Sequence, residues 1–591
     1  MTLDIFLSLL GLLGGLAMFL YGMEIMGDGL KKLAGGKLES ILSKLTSNKI
    51  LGLFLGFCVT AVIQSSSATT VMLVGFVNSG IMNLGQTIGV IMGANIGTTV
   101  TAWLLSTSQI GGGDSIAWLS LFKPSSFTPI LAVIGIAMLM MGKTDKKKNI
   151  ASILLGFSVL MYGMEMMSGA MEHPAIRDAV SDAMVMFENP VMGIIMGTIL
   201  TAVIQSSSAS VGILQALALS GVGISFSTAI PIILGQNIGT TITPVLSSLT
   251  GNTASKRVAA ACVYIKMIGV VVVYVVFVAL SNIFDFGFMN TNVSPITIAL
   301  VHTLFNIIST VILIPFSRLI EKLAIKTIKD SKKVSKKDET FAVLDERFLD
   351  IPSFAVEMCR ELVNQMAVIS KGALVEATYL LGNYDEQKYQ HILEIENEVD
   401  KYEDKTSTYL VKLSSRQLST KDSHVVTELL HCIGDLERIA DHAVNIAKVA
   451  QELHEKDAKF SKDAMHDVDV ISEAVREVMS LATEALKTDD LELAKRVEPL
   501  EQVIDKIKAQ IRKGHIERLR QGNCTIEVGF ALSDLLINYE RVSDHCSNIA
   551  VCILEIANDS FETHEYLTNV KTKGENHFFE IYDEYKDKYA L

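Results

Sequence analysis

Apolar positions follow two regimes along the chain. Up to about Phe316 they form long unbroken runs, and beyond it they recur at three- and four-residue spacing between charged side chains. A helix that crosses a bilayer needs about 20 apolar residues. Residues 4–26, 84–107, 128–142, 150–170, 226–249, 258–283 and 294–317 reach or approach that length, which predicts seven spans. Four further runs fall short: Ile50–Ile63, Ala68–Met82, Pro190–Ile204 and Ala209–Ile224. They flank two copies of Gln-Ser-Ser-Ser in pairs. Each pair predicts a re-entrant hairpin that enters and leaves by one face, with the motif at its tip.

The pattern is duplicated. Thr60–Ala68 returns letter for letter as Thr201–Ala209, and Gly93-Ala-Asn95-Ile-Gly97-Thr98-Thr99 returns as Gly235-Gln-Asn237-Ile-Gly239-Thr240-Thr241. Tyr21-Gly-Met-Glu24 likewise recurs as Tyr162-Gly-Met-Glu165, so the apolar N-terminal stretch reads as part of the repeat and not as a cleaved leader. Short loops rich in Lys and Arg favour the cytoplasm. Lys143 and Lys146–Lys148 place one loop inside, and Lys31, Lys32, Lys37, Lys44, Lys49, Lys256, Arg257 and the run after Arg318 follow consistently. The N-terminus then falls outside and the C-terminal part in the cytoplasm. Three crossings separate the repeats, so the second is upside down relative to the first, as in secondary transporters. The fold class expected is all-α: a polytopic membrane part with inverted repeats and two re-entrant hairpins, plus a soluble domain of two three-helix bundles.

Charge sharpens the division. Only 14 of the 51 Lys and Arg and 12 of the 64 Asp and Glu precede Ser317, so the net charge of −13 belongs to the soluble part. The acidic balance gives no nucleic-acid footprint. The seven cysteines show no paired spacing and read as free thiols. No nucleophile–base constellation or P-loop suggests an enzyme.

The tips carry the candidate chemistry. A helix starting at Ser65–Ser67 leaves backbone N–H groups unpaired, adds hydroxyl donors and directs a positive dipole end at the tip. Ser206–Ser208 face it from the other repeat, and with Gln64 and Gln205 the two tips suit an oxyanion. Gln64, Gln205, Asn95, Asn237, Thr98, Thr99, Thr240 and Thr241 supply neutral oxygens for a hard cation such as sodium, and the neighbouring glycines are expected to let the backbone unwind there. The alternative for such residues is helix packing and back-bonding to the preceding turn; finding them twice at matching places favours a site.

These residues resemble the type II sodium/phosphate cotransporters, whose signature is the duplicated QSSS with G-x-N-I-G-T-T, over about residues 1–320. The resemblance implies sodium-driven transport of inorganic phosphate, with phosphate on Gln64–Ser67 and Gln205–Ser208 and sodium among the Gln, Asn and Thr residues. Bacterial relatives carry His-x-x-Phe-Asn in two late helices. His302-Thr-Leu-Phe305-Asn306 fits, whereas Cys262-Val-Tyr264-Ile-Lys266 puts a lysine where the pattern has asparagine. Lys266 either snorkels to the headgroups or supplies a cation at the site, modifying the coupling.

The soluble part is duplicated too. Glu437, Asp441 and Asn445 recur as Glu540, Asp544 and Asn548, and Glu396 and Asp400 as Glu501 and Asp505. Spacing of four sets each group on one helical face, either as a solvated ion-pair surface or as facing carboxylates able to hold metal. The arrangement resembles the PhoU family of phosphate-signalling proteins over about 350–560, which implies a regulatory role and, as in some members, iron or zinc.

The expected domains are repeat 1 (1–141), repeat 2 (142–320), a basic linker (321–349), the PhoU-like domain (350–560) and a charged tail (561–591). The function expected is sodium-coupled phosphate transport across the cell membrane under control of the cytoplasmic domain. A carrier of another oxyanion, a phosphate exporter and a membrane-tethered signalling protein are the alternatives. Partners expected are phosphate, sodium, the bilayer and a cytoplasmic signalling protein, with a homodimer left open.

Overall fold

The computed structural model describes residues 3–34, 48–107, 124–171, 173–284, 286–329, 340–557 and 576–591. The chain divides into two compact units, Met1–Phe354 and Ala355–Leu591. Among the described residues both units are helical, with a single isolated bridge between Ser225 and Asn292.

In the first unit, α1 (Leu3–Ala34) begins repeat 1, followed by hairpin arms α2 (Lys49–Ile63) and α3 (Ser66–Asn78). Next come α4 (Leu84–Gly97), α5 (Thr99–Ser106) and α6 (Pro124–Met141). Repeat 2 opens with α7 (Asp145–Ala170) and α8 (Pro174–Met186), then hairpin arms α9 (Pro190–Ile204) and α10 (Ser207–Leu219). It continues through α11 (Phe226–Gly239), α12 (Ile242–Ser248), α13 (Thr253–Ile283), α14 (Pro295–Leu313) and α15 (Ser317–Thr327). Among the described residues six helical stretches are long and apolar enough to cross a membrane: 3–33, 84–106, 145–170, 226–248, 253–283 and 295–327. The seventh expected span is the shorter apolar helix within α6, over Ser126–Met141. Between α7 and the second hairpin stands α8, which turns by 118° into α9. Large apolar side chains such as Val271, Val275, Leu304 and Val311 face outward, as lipid requires.

Inversion is visible in the contacts of α1 with α7, the two copies of one sequence element. A Cβ on Gly163 would stand 2.6 Å from the Gly15 carbonyl oxygen, one on Gly22 2.6 Å from that of Gly156, and one on Gly29 3.0 Å from that of Asn149. As numbers rise along α1 they fall along α7, so the equivalent helices run antiparallel with their backbones nearly touching. Phe19, Met26, Leu160, Met161 and Met164 close the seam, and Leu105, Ala209 and Ala216 join them from the two repeats.

The expected linker differs. It begins inside α15, because Ile320 and Ala324 are buried and hold that helix on the unit, while 330–339 lie outside the described residues. Short 3-10 turns at Thr340–Val343 and Glu346–Asp350 then pack back onto the same unit.

The second unit is two three-helix bundles. Helices α16 (Pro352–Leu380), α17 (Glu386–Ser414) and α18 (Thr420–Glu455) form the first; α19 (Lys462–Thr488), α20 (Leu491–Arg520) and α21 (Ile526–Ala557) form the second. Aliphatic side chains at helical spacing, including Leu436, Ile439, Ile446, Val542 and Ile549, fill the core. The expected charged tail ends in a helix, α22 (Asn576–Lys588), which docks on α20: Ile581, Tyr582 and Tyr585 are buried, and the Arg496 Nε donates to Tyr585 Oη at 3.0 Å. Three apolar positions at helical spacing outweigh its charge.

Candidate functional site

Each hairpin turns on its Gln-Ser pair. Gln64 (φ 59°, ψ 22°) and Gln205 (φ 60°, ψ 17°) end the first arms in the left-handed conformation, an uncommon choice for a residue with a Cβ. Ser65 and Ser206 are extended and cap the second arms, their hydroxyl oxygens accepting from Ala68 N–H at 3.1 Å and Ala209 N–H at 3.2 Å. The first intrahelical bonds are Thr69 N–H to the Ser65 carbonyl (3.2 Å) and Ser210 N–H to that of Ser206 (3.1 Å). The amides of Ser66, Ser67, Ser207 and Ser208 therefore precede the bonded helix at the positive ends of α3 and α10.

The two tips meet. Ser67 Oγ donates to the Gln205 carbonyl oxygen at 3.3 Å and accepts from Thr243 Oγ1 at 3.1 Å. Residues 138 and 176 positions apart are thereby brought together. Ser66, Ser207 and Ser208 are buried beside this contact.

The repeats are equivalent in sequence but not in conformation. In repeat 1 Gln64 is buried, with its amide donating to Ala61 and accepting from Thr101 Oγ1 at 2.7 Å. Thr243, the repeat-2 counterpart of Thr101, instead bonds Ser67 across the pseudo-symmetry, and Gln205 is exposed.

The expected cation ligands line the next helices. Asn95, Asn237, Thr98, Thr99 and Thr240 are buried and Thr241 is half-buried. Thr98, Thr99, Thr240 and Thr241 donate their hydroxyl protons to their own helix, to the carbonyls of Ala94 (3.0 Å), Ile96 (2.7 Å), Gln236 (3.0 Å) and Ile238 (2.8 Å). A hydroxyl held this way keeps its lone pairs for another partner, which suits a cation better than an anion.

The neighbouring glycines do not unwind the backbone. Thr98, Thr240 and Thr241 at the α4–α5 and α11–α12 junctions keep right-handed helical angles. A Cβ on Gly93 would overlap the Leu53 carbonyl, and one on Gly235 that of Ile194. These glycines let the first hairpin arm lie directly on the helix that carries the asparagine, a packing role that their spacing alone did not separate from flexibility.

Lys266 is only 5% exposed, and its Nζ donates to Asn237 Oδ1 at 3.3 Å. It does not snorkel, since Asn237 offers an acceptor within reach. Asn306 is buried on α14, with its Nδ2 donating to the His302 carbonyl at 2.8 Å. Glu24 and Glu165, the repeated acids of α1 and α7, take no part in these contacts.

In the second unit the carboxylates converge within each bundle. Burial, with Asp400 and Asp441 nearby, pushes Glu396 above its ordinary range, and burial with Asp441 does the same to Asp400. Glu437 is raised by burial and by Asp441. In the second bundle Asp505 and Asp544 are raised by burial and by Glu540, which itself pairs with Lys508. Asn548 Nδ2 donates to Asp435 Oδ1 at 3.3 Å. Among the described residues no group of three or more His, Cys, Asp or Glu is placed to hold a metal ion. The expectation of iron or zinc therefore finds no support, and in the second bundle Lys508 already pairs with Glu540.

Two copies of the Na+/Pi-cotransporter model match residues 18–169 and 159–302, and the PhoU domain model matches 363–450 and 468–553. A Salmonella typhimurium protein named "Putative inorganic phosphate export protein YjbB" is 23% identical over 95% of this chain and all of its own length. Human sodium-dependent phosphate transport protein 2B is 38% identical over 17% of this chain and 15% of its own. The crystal structure of PhoU from Pseudomonas aeruginosa aligns with 34% of this chain and 97% of its own, at 22% identity and a TM-score of 0.33. The N-terminal part of the chain, with its apolar helices, thus belongs to the Na+/Pi-cotransporter family, and its C-terminal unit is a PhoU domain.

Proposed function

We propose that the chain is a sodium-coupled carrier of inorganic phosphate whose PhoU domain adjusts its activity from the cytoplasm. The observation that supports this best is the meeting of the two QSSS tips at Ser67 and Gln205. Two helix N-termini with free amides converge there on one point, which suits a tetrahedral oxyanion, and buried neutral oxygens stand beside it for the coupling cation. Alternating access needs the same motif in two arrangements, one per repeat. The buried Gln64 and exposed Gln205 supply such a pair. Labelled phosphate uptake into proteoliposomes, with and without a sodium gradient, tests the reading; flux indifferent to sodium would defeat the coupling.

Export is the second reading, favoured by the name of the relative that matches nearly the whole chain. Coupling and gradients, not the motif, set the direction. Counterflow from loaded vesicles of either orientation distinguishes the two.

Regulation has a candidate element in the turns before α16. Asn78 Nδ2, at the end of α3, donates to Asp345 at 2.9 Å, and its Oδ1 accepts from Asn252 N–H and Ser255 Oγ, both at 2.9 Å. Arg347 Nη1 reaches the Ser247 carbonyl at 3.1 Å, and Phe348 packs on Phe76 and Phe354. The segment leading into the PhoU domain thus ties hairpin 1 to repeat 2, and a tie that holds one state slows a cycle that needs both. Asp345→Ala with Phe348→Ala is expected to raise initial phosphate flux roughly threefold or more and to abolish its response to phosphate on the domain's side. Unchanged flux and response would remove the regulatory role.

A further inference from the structure

A lysine inside a membrane helix is tolerated when it reaches the headgroups or when a partner compensates its charge. Lys266 stands roughly 20 Å along α13 from Thr253. Its one hydrogen bond, among the described residues, goes to Asn237 Oδ1 at 3.3 Å. Asn237 Nδ2 donates to the Ile233 carbonyl at 3.0 Å, which turns the amide oxygen toward the ammonium. The titratable groups within electrostatic reach of Lys266 are Cys262, one turn earlier on α13, and His302, buried on α14 with its Nδ1 unpartnered. Neither is an anion, and no carboxylate among the described residues pairs with Lys266.

Three N–H donors and a full charge are therefore set against one neutral oxygen. Burial of such a group is costly unless a negative partner arrives, and an oxyanion between the QSSS tips is the partner this protein has reason to admit. The other repeat differs. Asn95 is equally buried, yet among the described residues no basic side chain bonds to it. One asparagine of the duplicated motif holds a cation fixed to the protein, and the other is left for a cation from solution.

We propose that the Lys266 ammonium is a tethered cation occupying the coupling-ion position of the second repeat at Asn237, so that phosphate is carried with one sodium ion fewer than an asparagine at 266 would require. The inference rests on the sodium-coupled reading above. A tethered cation offsets substrate charge inside the membrane but is not itself transported, so it contributes nothing to concentrative drive.

The test is the ratio of labelled sodium to labelled phosphate moved by the full chain in proteoliposomes. Lys266→Asn is expected to raise the ratio by one sodium and steepen the sodium dependence, while Lys266→Arg keeps the wild-type ratio. An unchanged ratio and sodium dependence in Lys266→Asn would overturn the proposal. If that variant does not fold, the asparagines decide it. Asn95→Ala should raise the sodium concentration for half-maximal flux about tenfold, whereas Asn237→Ala, which strips the buried ammonium of its acceptor, should lower flux with the sodium-to-phosphate ratio unchanged. A ratio lowered by one sodium in Asn237→Ala would overturn it. Wild-type phosphate flux without any sodium dependence would instead defeat the coupled reading itself, a separate outcome.

Discussion

Gly235→Ala should abolish transport and leave little folded protein, and Gly93→Ala should do the same, although alanine is the better helix former by about 1 kcal/mol. The added Cβ would overlap the Ile194 carbonyl in repeat 2 and the Leu53 carbonyl in repeat 1. A backbone oxygen cannot swing aside as a side chain does, so the first hairpin arm must move off the helix it lies on. Its own glycines give no room: a Cβ on Gly197 or Gly56 would likewise overlap the carbonyl of Ile232 or Val90. Overpacking of this kind costs about 1–3 kcal/mol where side chains yield and more where backbone must shift. Gly372 and Gly434 lie in α16 and α18 with nothing within 4 Å of an added Cβ. Alanine there should be neutral or stabilising by about 0.5–1 kcal/mol, which makes the pair a control for propensity. Thermal unfolding and size-exclusion profiles in detergent would separate the outcomes, and a folded, active Gly235→Ala would refute the packing argument.

The same glycines show where reading from sequence stops. Exact repetition carried the duplication, the basic loops and the count of crossings the inversion, and the short apolar runs the hairpin arms, whose ends at Ile63 and Ile204 fall where those runs end. Repetition says that Gly93 and Gly235 matter but not whether they loosen a backbone or let two approach; that depends on the partner helix, a non-local fact. Lys266 is a similar case. Its distance along the span allowed snorkelling, and only the placement of Asn237 on another helix shows where the ammonium goes. The left-handed Gln64 and Gln205 had no local signal, because glycine or asparagine is the usual residue for that conformation. The metal expectation finds no support for the converse reason: i, i+4 spacing puts carboxylates on one face without assembling three or more ligands at one point among the described residues.

Proline at the first helical position of each tip should separate the two kinds of donor proposed for phosphate. Ser66 opens α3 and Ser207 opens α10, where proline's fixed φ suits the helix and the missing N–H breaks no intrahelical bond. The preceding residues are already extended, Ser65 at φ −146°, ψ 104° and Ser206 at φ −138°, ψ 113°, as a residue before proline prefers. Ser66→Pro and Ser207→Pro should therefore fold while losing both the hydroxyl and the amide donor. Ser66→Ala and Ser207→Ala lose the hydroxyl alone. A hydrogen bond to a charged group contributes about 1.5–3 kcal/mol, so each lost donor should weaken phosphate about tenfold to a hundredfold. Alanine variants should show that single step in phosphate KM, and proline variants about its square. Sodium dependence should survive wherever flux is measurable, because the hydroxyls of Thr98, Thr99, Thr240 and Thr241 are untouched. If proline and alanine prove equivalent, the amides do not bind the anion, and the facing helix ends serve only to close the tips against each other.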